Sequence, residues 1–206
     1  MMIRILLLAA LSFRVIPGAL LQGGSHTGRN AYAWLANTPR AVTPAKPHPQ
    51  IARLLQALEG AWSIREELAP DASSPNGTTG AGTIVWRPGP GGYSVVEEYR
   101  SKQGEEDISG LGELWWDDAA GGYHTIWCDS TNPGGCIDFK NQARWVGEKL
   151  VLQEDYEVNG KKFTFREEFG DIGPDHFTQT LYGGHPGGPL KVDQTIHATR
   201  AKGSSR

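Results

Sequence analysis

The positions in this chain best suited to chemistry are aromatic and acidic residues placed at alternate positions of strand-like runs. Trp86 sits in one run, Glu97 and Tyr99 in the next, Trp116 at the end of a third, and Trp127 and Asp129 in a fourth. Side chains at i and i+2 of a strand share a face. Glu97 therefore groups with Tyr93, Val95 and Tyr99, and Asp129 with Trp127. Rings surrounding a carboxylate suit a small apolar or amphipathic ligand, because the aromatic faces bury its body while the acid fixes a polar end. Two other readings of the same residues stay open: the rings fill the interior by themselves, and Glu97 and Asp129 are solvated or salt-bridged.

Other chemistries find less support. The six histidines, His26, His48, His124, His176, His185 and His197, show neither an HExxH pattern nor paired spacing on one strand, so a metal site has no local basis. Ser130, His124 and Asp129 supply the residue types of a hydrolytic triad, but no Gly-x-Ser-x-Gly elbow is present. The glycines lie in hairpin turns, which leaves no phosphate-binding loop before a helix. Catalytic residues are therefore not assigned. An isomerase, cyclase or haem-dependent activity within a barrel is the alternative to binding, and a module without a ligand is a third reading.

The elements that position these residues are strands. The chain has 206 residues, room for one ordinary domain and an N-terminal extension. Its 27 glycines and 13 prolines fall mostly in short clusters that punctuate alternating runs, which is the pattern of an all-β fold. Before the first run, Ile51, Leu54, Leu55 and Leu58 recur at helical spacing after Pro47-His48-Pro49, with Gly60 as the stop. One short amphipathic helix follows, suited to covering the end of a barrel. About ten strands come after it, beginning at Ala61–Leu68 and ending at Leu190–Arg200. Their short connections force antiparallel neighbours, since a parallel crossover needs about a dozen residues. An up-and-down antiparallel barrel results, and above about eight strands such a barrel can leave a lumen. Gly110 and Gly112 mark sharp bending in the fourth run, and Asn159-Gly160 is the strongest hairpin signal.

Lys+Arg 20 against Asp+Glu 23 gives a net charge of -3, with no basic footprint for nucleic acid. Met1 to Phe13 has the charged start and apolar run of a secretory signal, too short to span a bilayer and interrupted by Arg14. Residues 1–24 are read as a signal peptide, 25–47 as a flexible linker, 48–201 as the barrel and 202–206 as a tail. That assignment implies a periplasmic or secreted protein. Cys128 and Cys136 flank a turn-rich loop, and a disulfide, free thiols or a metal site are the options. The disulfide fits an oxidising compartment and would contribute about 2.5 kcal/mol by loop closure.

Gly60-x-Trp62 after a short helix, with Arg200 near the end of the last strand, resembles the lipocalin and wider calycin pattern. Gly112-x-Leu114, Trp116-Asp117, Trp127-x-Asp129-Ser130, Trp145-x-Gly147 and Phe165-Arg166-Glu167-x-Phe169 are similar to a bacterial, often secreted, lipocalin-like family of unknown function. The resemblance spans about Ile51 to Ala201. It implies a barrel in which Trp62 packs against Arg200 at the closed end, and it assigns no catalytic residue. Nitrobindin-like calycins hold haem through one histidine, a role open here to His124 or His197; no cofactor is assigned.

Overall fold

The computed structural model describes residues 46–202 except 72, 73, 133 and 159, so the leader and most of the linker read from the sequence lie outside the described residues. Helix α1 spans Pro49–Leu58, with Pro49 in its first turn, where the missing N–H costs nothing, and the His48 ring accepting from the Gln50 N–H at 3.2 Å. Its apolar stripe of Ile51, Leu54 and Leu58 is fully buried. Each such side chain contributes on the order of 2 kcal/mol, which makes the helix a docked element and not a free one. Gly60, at φ 121°, turns the chain out of the helix.

Among the described residues eleven strands follow: β1 (Gly60–Leu68), β2 (Thr78–Pro88), β3 (Ser94–Gln103), β4 (Glu106–Asp117), β5 (Gly122–Asp129), β6 (Ile137–Asp138), β7 (Arg144–Val146), β8 (Lys149–Val158), β9 (Lys161–Gly170), β10 (His176–Gly184) and β11 (Lys191–Arg200). All pair antiparallel in one curled sheet of order β6-β5-β4-β3-β2-β1-β11-β10-β9-β8-β7. The first and last strands meet as the sequence implies, with Trp62 opposite Arg200 and Leu68 opposite Gln194. Asn159 of the expected hairpin lies outside the described residues; its neighbour Gly160 has φ 75°.

The seam falls elsewhere, between β6 and β7, where the sequence suggests one returning strand from Cys136 to Trp145. That run divides because it pairs with β5 as far as Ala143 and with β8 from Arg144 onward. Phe139 donates its N–H to Thr125 at 3.1 Å, and Ala143 exchanges two 2.8 Å hydrogen bonds with Tyr123 on β5. Between them, the Lys140 and Asn141 N–H groups bind the Glu154 carboxylate at 2.7 and 3.1 Å. The segment between β6 and β7 thereby replaces strand pairing with a short bridge and a side-chain acceptor, and the strand count rises from about ten to eleven.

The core sits at the helix end. Trp62, Trp86, Tyr123, Phe177, Leu150 and Val95 are essentially inaccessible there. Trp62 donates its indole N–H to the Leu58 carbonyl at 2.7 Å, while the Arg200 guanidinium lies 4.1 Å from its ring centroid. Arg200 also donates to the carbonyls of Glu59 and Pro174, at 3.0 and 2.8 Å. Tyr123 ties the helix to β5 through the Gln50 carbonyl at 2.8 Å and receives the Trp145 N–H at 2.9 Å. This end of the sheet is closed by hydrogen-bonded aromatic packing.

Candidate functional site

Above that packed end the inner faces of the strands diverge around a cavity of about 800 Å³. Its floor is apolar, formed by Trp86, Leu114, Leu150, Phe169 and Ile196. Its far end is framed by Glu106 and Asp107 at the start of β4 and by Ser130, Thr131 and Asn132 after β5. The Cys128–Cys136 disulfide pins that second loop, and Ser130 fastens it to β4 by donating its N–H to the Ser109 carbonyl at 2.9 Å. Options of free thiols or a metal at these cysteines are set aside by the bond, which removes both thiolates.

Of the six sequence-derived ligand candidates, Trp86, Glu97, Tyr99, Trp127 and Asp129 line this cavity. Trp116 does not. It has the parity of Leu114, but it lies nearer the helix, stacked on His48 at 5.0 Å and edge-on to Tyr123 at 5.2 Å. Alternation gives the face of a residue and not its height along the barrel axis, so Trp116 belongs to the closed end. Trp62 and Arg200 also lie at that end, outside the lining.

Asp129 is occupied with local structure. Its carboxylate accepts the Trp127 indole N–H at 2.9 Å and both the N–H and hydroxyl of Thr131, at 2.7 and 2.5 Å. Trp127 lies across β4, where Gly110 and Gly112 leave it room. A Cβ on Gly110 would approach the ring to 2.4 Å, and one on Gly112 to 3.3 Å. The two glycines thus admit an indole, which is a more specific reason than the bending expected from sequence.

Glu97 stands between Trp86 on β2 and Gly112 on β4. It is 5% exposed, and burial pushes its carboxyl well above the usual carboxylate range, with the charge of Glu167 adding to the shift. Glu167, on β9 between Leu152 and Leu181, is raised to about 7 by burial, against the opposing effect of a 2.6 Å hydrogen bond donated by Gln179 Nε2. Part of the Glu167 surface remains accessible to the cavity, but it lies deep enough for desolvation to dominate. Neither carboxyl forms an ion pair among the described residues.

Three further buried polar atoms around the cavity have no hydrogen-bond partner among the described residues: Trp86 Nε1, Thr125 Oγ1 and Gln179 Oε1. Buried polar atoms are rarely left unpaired, and each such case costs roughly 1–3 kcal/mol. All three belong to residues of the cavity lining, so a molecule within it can complete their bonding.

Sequence reasoning missed Glu167, Gln179 and Thr125. The signal for Glu167 was present, a carboxylate at the same parity as Phe165 and Phe169 in a run of rings. Glu66, whose inward alternation with Trp62 and Ile64 was legible, is completely buried beside the cavity. Tyr99 donates its hydroxyl to it, as do Ser101 at 2.6 Å and Gln103 Nε2 at 2.9 Å. Burial, then the Glu66 charge, drives the Tyr99 phenol upward, keeping it protonated as a donor.

The histidines proposed for haem do not reach this cavity. His124 stacks on Trp115 at 4.4 Å and binds Asp138 at 2.5 Å, while His197 alternates with the inward Ile196 and Ala198. No lysine, arginine or histidine among the described residues lines it, so an axial imidazole is not supplied by the lining. No cluster of three or more potential metal ligands occurs among the described residues.

No protein-family model matches the chain, and no curated protein does. Solved structures match at the level of fold. Rv2717c from M. tuberculosis is 14% identical, with TM-score 0.50, over 76% of this chain and 99% of that one. A redesigned β-barrel, mFAP1, solved bound to DFHBI, is 15% identical, with TM-score 0.39, over 72% and 99%. An S-type phycobiliprotein lyase, CPES from Guillardia theta, is 11% identical, with TM-score 0.47, over 76% and 94%. The chain shares with Rv2717c an all-β fold, an up-and-down antiparallel curled sheet with one short N-terminal helix. Among the described residues no helix is long and apolar enough to cross a membrane.

Proposed function

We propose that this protein is an exported, lipocalin-like binding protein that encloses a small apolar or amphipathic molecule in its barrel. The observation that carries the reading is the cavity of about 800 Å³, with an apolar floor and three buried polar atoms lacking partners in its wall. A volume of this order falls within the range of ligand pockets, about 300–1,000 Å³, and the mixture of rings with a few unpaired polar groups is the usual composition of such sites. Export is supported by the Met1–Phe13 apolar run and by the Cys128–Cys136 disulfide, which persists best in an oxidising compartment. Native mass spectrometry of the protein purified from its own host tests the reading. Retention of a small molecule released on denaturation supports it; a bare mass from every preparation, with no uptake from host lipid or metabolite extracts, overturns it.

A second reading is favoured by one observation, the two raised carboxyls inside the cavity. A carboxyl poised near neutrality can donate and accept a proton, which is what an isomerase of barrel type needs. Incubating the retained molecule with the protein in deuterium oxide separates the readings. Deuterium incorporation that disappears in Glu167→Gln marks acid–base chemistry, and its absence leaves binding alone.

A further inference from the structure

The charged side chains that line the cavity are all acidic. Glu97, Glu106, Asp107, Asp129, Glu154 and Glu167 all contribute to its lining, yet no lysine, arginine or histidine among the described residues does. The whole chain is only slightly acidic, with 20 Lys+Arg against 23 Asp+Glu, so the asymmetry is local to the cavity. Three of these groups have identifiable local roles. Asp107 lies 3.7 Å from the Lys102 ammonium, Asp129 holds Trp127 and Thr131, and Glu154 accepts the N–H groups of the seam. Glu97 and Glu167, the innermost pair, have no cation assigned to them.

From this arrangement we infer that the molecule the cavity takes is an organic cation, a protonated amine or amidinium carried on an apolar, ring-sized body. This rests on the reading of the barrel as a ligand carrier and names the class of ligand. The cationic end would lie between Glu97 and Glu167, with N–H groups that can also serve Gln179 Oε1 and Thr125 Oγ1, two of the orphaned atoms. The body would rest on the faces of Trp127, Tyr99 and Phe165, where a cation also gains from ring electrostatics. An anionic ligand meets the opposite situation, two carboxyls whose ionisation it would oppose and no positive group to receive it.

A pH signature follows. Around Glu97 stand Trp86 from β2, Gly112 from β4 and Glu167 across the cavity; around Glu167 stand Leu152 from β8 and Leu181 and Gln179 from β10. No positive side chain faces either group, so without ligand both carboxyls are pushed towards the protonated form. A cation favours ionisation and expels protons on binding, and by linkage its affinity then rises with pH, by at most about tenfold per pH unit for each proton released.

Three fluorescent probes that share or resemble an aromatic body test the inference on the full chain: dansylcadaverine as the cation, dansylamide as the neutral analogue and anilinonaphthalene sulfonate as the anion. At about pH 8 dansylcadaverine should bind at least about tenfold more tightly than dansylamide, and that margin should shrink towards about pH 5 as the carboxyls become protonated. The double variant Glu97→Gln, Glu167→Gln should lose the margin while still binding dansylamide. If that variant does not fold, the pH dependence of the margin in the unaltered protein decides the matter. Equal or weaker binding of dansylcadaverine relative to either other probe at pH 8, or a margin independent of pH, overturns the cation inference while leaving the binding cavity intact. Failure of all three probes to bind displaces the carrier reading itself.

Discussion

Two sets of buried carboxylates share the inner side of this barrel and are treated in opposite ways. Glu66 is completely buried and receives three side-chain donors, Tyr99, Ser101 and Gln103. Among the described residues Glu97 and Glu167 face the cavity without a cation, and of the two only Glu167 receives a side-chain donor, from Gln179. Burial alone therefore does not say what an acid is for. A carboxylate saturated by donors fixed on β3 cross-links the sheet, whereas carboxyls left under-bonded beside a void are open to an external partner.

The largest effect is expected from Glu66→Leu. It removes the acceptor that three donors share, leaving Gln103 only the Tyr99 hydroxyl at 3.0 Å and Ser101 only the Ala81 carbonyl at 3.5 Å, and a loss of about 3–5 kcal/mol of unfolding free energy in urea titrations is expected. A cost below about 1 kcal/mol would mean that the donors find other partners and that Glu66 resembles the cavity acids after all.

Glu167→Gln should act in the reverse direction and depend on pH. The folded carboxyl titrates at about 7, above its unfolded value, so its burial costs nothing below the unfolded range and destabilises progressively as pH rises through about 7. The variant is expected to match the parent near about pH 4 and to exceed it by about 2–3 kcal/mol near pH 8, by thermal or urea unfolding at both values. Equal stability at both would place Glu167 with Glu66.

Tyr99→Phe removes one of the three donors and leaves its edge-on contact with Trp127, at 6.0 Å between centroids, in place. A loss of about 1–1.5 kcal/mol is expected, smaller than for Glu66 because two donors remain. Thr125→Val is the mildest test. Its hydroxyl already lacks a partner, so unfolding free energy should change by less than about 0.5 kcal/mol or rise slightly, while retention of the host-derived molecule should weaken.

Much of this contrast was within reach of the sequence, and the part that was not has a definite cause. Period-two alternation from Trp62 puts Ile64 and Glu66 inside, and within their own runs it groups Glu97 with Tyr99 and Trp127 with Asp129, all of which line the cavity. It places Trp116 on the inner face too, but the helix end and the cavity lie at different heights on that face. It finds Asp129 but not its employment by Trp127 and Thr131, since a hydrogen-bond acceptor and a ligand contact carry the same letter in the sequence. Glu167 stands unmarked in its aromatic run, because its significance lies in the charge it presents to Glu97 from β9.

What the sequence determined by itself is the all-β plan: short antiparallel connections, a helix of fixed polarity at the start, the parity of each strand and the two cysteines close enough to pair. These are local properties, set by backbone geometry and by side chains a few residues apart. Only the tertiary structure decided where the seam runs, how far the rings fill the interior, and which acids find donors. Those outcomes depend on residues brought together from distant strands by curvature and stagger, and the same glutamate is a cross-link or an open site according to what the opposite wall presents to it.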